Sequence, residues 1–116
     1  MKGMQINKIN GKFMITLKEV TVFIDEKSIY IDIWPNKISK IYVEKTTKIT
    51  GHIKIDIADM FEISDFLKYN DLILSYRDND IYIRKDELII EKDYVNYVTI
   101  SKKEFRKLVN YLKKFI

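Results

Sequence analysis

The feature that most limits what this chain can form is a period-two alternation of isoleucine, repeated along much of its length. Ile29, Ile31 and Ile33 alternate with Tyr30, Asp32 and Trp34. Ile41 and Val43 alternate with Lys40, Tyr42 and Glu44, Ile53 and Ile55 with His52, Lys54 and Asp56, and Ile81 and Ile83 with Tyr82 and Arg84. Successive side chains of a strand point to opposite faces, so this spacing predicts strands with one face buried and the other open. One-sided burial favours an antiparallel sheet, because parallel sheets are covered on both faces. Between these runs stand turn formers. Asn10-Gly11 is a two-residue hairpin signal, and Asp25-Glu26-Lys27-Ser28, Pro35-Asn36, Asp78-Asn79-Asp80 and Asp86-Glu87 read as further turns. The phase of the alternation slips between Leu17 and Val20, which predicts a bulge or bend near Lys18-Glu19.

Two segments have helical spacing instead. Over 101–116, Phe105, Leu108, Val109 and Leu112 form one apolar stripe. Ser101 and Glu104 make a capping box, in which the serine hydroxyl accepts from the third residue's N–H and the glutamate reaches back to the serine N–H. The second segment spans about 56–69, with Asp56 as cap, Asp59 three residues on, and Met60, Ile63 and Leu67 as its apolar positions. The chain therefore reads as one α+β domain over 1–116: a predominantly antiparallel sheet, an N-terminal hairpin from 4–18, and a C-terminal amphipathic helix. At 116 residues it can bury roughly two-thirds of its unfolded surface.

The two helical segments align at an offset of 45 residues. Ile53 matches Val98, Asp56 matches Ser101, Met60 matches Phe105, Ile63 matches Leu108 and Leu67 matches Leu112. Each follows about four strand-like runs, near 20–24, 29–34, 38–44 and 49–55, and near 71–77, 81–85, 88–91 and 94–100. This fits an internal repeat with units 20–69 and 71–116. It equally fits two unrelated strand-to-helix junctions that both use a polar cap and an acid at the third position.

Four antiparallel strands followed by a helix resemble the unit of the positive-cofactor-four and Whirly families of single-stranded-DNA-binding proteins. The local likeness is in Val98-Thr99-Ile100-Ser101-Lys102-Lys103-Glu104-Phe105-Arg106-Lys107-Leu108, where a last strand runs into a Ser-Lys capped helix with an aromatic in its first turn. Positive cofactor four pairs two such units as a dimer, and Whirly proteins carry two in one chain. The resemblance implies two sheet-and-helix units and a nucleic-acid partner. It carries over no binding residue, and the Lys-Gly-Lys motif of Whirly proteins has no counterpart here.

Charge is unevenly spread. Residues 36–54 hold five lysines and only Glu44, and residues 101–116 hold six bases and only Glu104. Between them, residues 55–100 hold five bases against eleven acids. Two basic segments suit a polyanion. The 21 isoleucines and 18 lysines beside 3 arginines and a single alanine also match an AT-rich genome's codon usage, which would raise lysine without any partner.

Single strands are held by basic grooves interleaved with aromatic rings. The outward positions of the first-half strands offer Tyr30, Trp34, Lys40, Tyr42, His52 and Lys54, with Lys37, Lys45 and Lys48 in the connections. The last helix adds Lys102 and Arg106 among its run of bases. These residues are the expected nucleic-acid site, in a protein expected to bind nucleic acid, single strands above duplex. The same side chains would also solvate an ordinary open sheet face and helix. The alternative is a protein-interaction or self-assembling module, a homodimer, in which basic and acidic segments of two subunits pair.

Catalytic and metal sites have little to start from. There is no cysteine and one histidine, His52, without a Ser or carboxylate at a recognisable spacing. Asp59, Glu62 and Asp65 read as a solvated helix face. Asp78-Asn79-Asp80 lacks the glycine and distal glutamate of a calcium loop. The expectation is no enzyme, no cofactor and no metal. No run approaches the roughly 18 apolar residues of a membrane span, and the N-terminus lacks a signal peptide's apolar core, so the expected location is cytoplasmic.

Overall fold

The alternating segments build two antiparallel sheets around one core, the α+β arrangement that the periodicity implies. The computed structural model describes residues 4–36, 39–43, 46–50, 52–92 and 96–114. In chain order the elements are β1 (Gln5–Ile9), β2 (Lys12–Thr16), β3 (Val20–Asp25), β4 (Tyr30–Pro35), β5 (Ser39–Val43), β6 (Thr46–Thr50), β7 (Ile53–Asp56) and α1 (Ile57–Ser64). They continue with β8 (Leu72–Ser75), β9 (Asp80–Ile83), β10 (Glu87–Glu91), β11 (Tyr97–Ser101) and α2 (Lys102–Leu112). A five-stranded sheet has the order β1-β2-β3-β4-β7, and a four-stranded sheet the order β11-β10-β9-β8. Each runs directly into a helix, α1 after β7 and α2 after β11.

The core is made by the inward half of each alternation. Val22 and Ile24 of β3, Ile31 and Ile33 of β4, and Ile53 and Ile55 of β7 are buried in one cluster with Ile81, Ile83, Leu88, Ile90, Val98 and Ile100 of the second sheet. Met60 and Ile63 of α1 and Phe105, Leu108, Val109 and Leu112 of α2 complete it. Each such side chain contributes roughly 1.5–3 kcal/mol on leaving water. A one-residue slip of any strand would turn its isoleucines to solvent, so the register is well determined.

Local chemistry sets the turns. Asn10 and Gly11 both have positive φ, 50° and 78°, which is the backbone a type I′ hairpin needs and which glycine adopts freely. Near Lys18-Glu19 the expected bend is present. The chain reverses there, with the Leu17 N–H donating to the Val20 carbonyl at 2.9 Å. Asn36 holds this turn from across the sheet: its Nδ2 donates to the Leu17 and Lys18 carbonyls at 2.8 and 2.9 Å.

Three expectations are corrected. Ile29 is exposed, one residue before β4, while Ile31 and Ile33 are fully buried. The runs 38–44 and 49–55 do not extend the first sheet in sequence. β5 pairs with β6 as a separate hairpin, and of these two runs only β7 joins the sheet, beside β4. Helix α1 ends at Ser64, short of 69, because Ser64 Oγ donates back to the Phe61 carbonyl at 2.7 Å and the chain tightens into three-residue turns through Tyr69.

Both helix caps form. Asp56 accepts from the Ala58 N–H at 2.8 Å, and Ser101 Oγ from the Glu104 N–H at 3.1 Å. The box at Ser101 stays half-closed, however. The Glu104 carboxylate turns away and accepts from the Lys18 N–H, tying α2 to the β2–β3 turn.

Candidate nucleic-acid interface

Burial of Ile31 and Ile33 turns Tyr30, Asp32 and Trp34 to the outer face of the five-stranded sheet. The β4–β7 register sets Asp32 opposite Lys54 and Tyr30 opposite Asp56. His52, just before β7, stacks on Trp34 with ring centroids 4.1 Å apart and planes 16° from parallel. Its Nε2 lies 3.2 Å from Asp32 Oδ1, an ion pair when the imidazole is protonated. Lys54 Nζ sits 5.2 Å from the Tyr30 ring centroid, within cation–π range. Four of the expected residues, Tyr30, Trp34, His52 and Lys54, thus converge on one surface.

That surface contains residues the sequence reading passed over. Phe23 of β3 pairs with Asp32 on one side and Met14 of β2 on the other. It is 41% exposed, close to Tyr30 at 42%. Its signal was present, since Val22 and Ile24 take the inward positions and leave Phe23 outward. Lys12, Phe23, Tyr30, Asp32 and Lys54 border a shallow depression of about 370 Å³. The face is aromatic but not positive: Lys12 and Lys54 stand against Asp25, Asp32 and Asp56.

The other expected residues are placed differently. Lys37 and Lys45 lie outside the described residues. Lys40 and Tyr42 are on β5 and Lys48 is on β6, in register as Lys40↔Ile49, Tyr42↔Thr47 and Ile41↔Lys48. That hairpin is not paired with the sheet that carries Tyr30 and Trp34. Lys102 is a correction of another kind. It is buried, and its Nζ donates to the Tyr69 carbonyl at 2.7 Å, so its ammonium ties α2 to the segment after α1. Arg106 is exposed on α2, as the charge run implied.

Positive charge collects elsewhere, in a cleft of about 710 Å³ beside the first turns of α2. Lys18 of the β2–β3 turn and Lys68 after α1 line it, with Lys85 before β10. From α2 come Lys102, Lys103, Arg106 and Lys107, and the acids are Glu19, Asp86 and Glu104. Asn36 connects the two regions, following Trp34 and Pro35 and fixing the turn that carries Lys18.

The opposite character appears around α1. Burial raises the Asp59 carboxyl above its ordinary value, and the neighbouring Asp56, Glu62 and Asp78 add to the rise. Burial likewise raises the Tyr76 hydroxyl, which donates to Glu62 Oε1 at 3.1 Å. Among the described residues no group of three or more His, Asp or Glu is arranged to hold a metal ion. No helix among them is long and apolar enough to cross a membrane. In comparisons with known proteins, no family model, curated protein or solved structure matches the chain.

Proposed function

We propose that this protein binds single-stranded nucleic acid, with bases stacked on the outer face of the five-stranded sheet. The observation that carries this reading is the patch of solvent-facing rings, Phe23, Tyr30 and the Trp34–His52 stack, on a rigid sheet. Each base offers a π-face, and stacking on an aromatic side chain contributes roughly 1–3 kcal/mol per base whatever the sequence. The carboxylates on the face favour bases over phosphates there. Asp32, the most central of them, lies opposite Lys54 and beside His52. The backbone would then run along the patch margins, toward the basic cleft at the Trp34 end. The resemblance to the positive-cofactor-four and Whirly units points the same way.

The test is fluorescence anisotropy of labelled single-stranded and duplex oligonucleotides at two salt concentrations. Phosphate contacts release counterions, so affinity should fall steeply as salt rises. Trp34→Ala should weaken single-strand binding by about 1–3 kcal/mol. Affinity that ignores salt and Trp34 alike would overturn the reading.

A second reading is favoured by β1. All five of its residues are exposed, and Ile9 is 69% exposed on this edge strand. An unpaired edge recruits another strand, so a homodimer without a nucleic-acid role would elute as a dimer on sizing and shift no oligonucleotide.

A further inference from the structure

We infer that the cleft beside the first turns of α2 is a phosphate-binding site. Its cations outnumber its acids by seven to three, and three of the ten are already engaged, Lys68 with its Nζ 5.4 Å from the Tyr69 ring centroid. Lys102 Nζ is spent on the Tyr69 carbonyl, and Glu104 accepts from the Lys18 N–H. Among the described residues, Lys18, Lys85, Lys103, Arg106 and Lys107 make no ion pair. So the cations around this one concavity outnumber its three acids and form no ion pair with them, and the excess of like charge costs free energy until an anion enters.

The geometry of the wall favours phosphate over a single carboxylate. Arg106 offers a planar fork suited to two phosphate oxygens, while the lysines act as point charges on the others. The backbone adds to this. Within the first turn of α2, the Lys102 N–H donates to the Asp86 carbonyl and the Glu104 N–H to Ser101 Oγ. The Lys103 N–H stands in this first turn, at the positive end of the helix dipole. The cleft, about 710 Å³ and open to solvent, leaves room for a phosphate carried on a larger molecule. That molecule is either a nucleic-acid strand, which rests on the function proposed above, or a free phosphorylated compound.

The experiment follows backbone amides by NMR in the full chain, titrated with inorganic phosphate and, at matched ionic strength, with sodium chloride. Saturable shifts at Lys18, Lys103 and Glu104 with phosphate but not chloride are expected. Lys103→Ala combined with Arg106→Ala should weaken that binding at least tenfold, whereas Lys113→Ala with Lys114→Ala, past the end of α2, should leave it unchanged. Thermal unfolding of both variants guards against misfolding. Phosphate that also displaces a bound oligonucleotide assigns the site to the strand backbone. Phosphate that binds without displacing it, or binds when no oligonucleotide does, assigns the site to a free phosphorylated ligand and leaves the cleft standing without the nucleic-acid reading. Equal shifts with chloride, or shifts indifferent to the Lys103/Arg106 change, would overturn the site.

Discussion

Asn36→Ala is the most informative single perturbation of the fold, because one exposed side chain holds a turn from across the sheet. Its Nδ2 donates to the Leu17 and Lys18 carbonyls at 2.8 and 2.9 Å, and its Oδ1 accepts from Thr21 Oγ at 2.5 Å. The Asn36 N–H to Glu19 carbonyl bond belongs to the backbone and survives the change. Three side-chain bonds are therefore lost, each worth about 0.5–1.5 kcal/mol net. Asn36 is solvent-exposed, so water replaces part of each, and the low end applies. The expected cost is about 1–2 kcal/mol, or a fall in Tm of about 4–8 °C for a domain of this size. Thr21→Val removes only one of the three bonds and should cost about 0.5 kcal/mol. In the double variant the two losses should fall short of additive, because they share a bond. Urea unfolding followed by circular dichroism measures all three. An Asn36→Ala midpoint within error of the wild type, or a Thr21→Val cost equal to it, would refute the reasoning.

Three further outcomes are expected. Ser101→Ala removes the α2 cap and should cost about 1 kcal/mol in urea unfolding. Phe105→Ala opens a cavity at a fully buried position and should cost about 3–5 kcal/mol by the same assay. Asp59→Asn should stabilise. The raised carboxyl pKa means that the charged form is disfavoured in the folded state, a penalty absent below the unfolded-state value, growing as pH rises above it and complete above the folded-state value. Asn should therefore add a few tenths of a kcal/mol at pH 7, the scale of like-charge pairs on a helix. The gain should vanish at about pH 3, below the ordinary Asp pKa, and a gain independent of pH would contradict it.

Much of the fold was legible because its determinants are local. Alternation marks a buried face whichever strand lies alongside, and Asn10-Gly11 specifies a tight hairpin through its own φ angles. Pairing is not local. Residues 39–43 alternate as well beside β6 as they would beside β4, so the separate hairpin could not be read from periodicity. The same limit applies to the site. Trp34, His52, Tyr30 and Lys54 were legible as outward positions of strands that proved to be neighbours. Lys102 was not, because its ammonium finds a carbonyl 33 residues away, at Tyr69. Glu104 has the spacing of a capping box, yet its carboxylate is drawn to Lys18, 86 residues distant. The basic residues of the cleft come from four separate stretches of chain, so no single segment announced it.

Trp34 is the chain's one tryptophan and, stacked on His52, is part of the proposed interface, so its intrinsic fluorescence is the most direct report on the central claim. Titration with an unlabelled single-stranded oligonucleotide at low salt should quench it saturably, with the signal recovering as salt is raised. Emission that stays unchanged while the oligonucleotide is shown to bind would place the strand elsewhere, and emission unchanged with no binding would remove the nucleic-acid reading altogether.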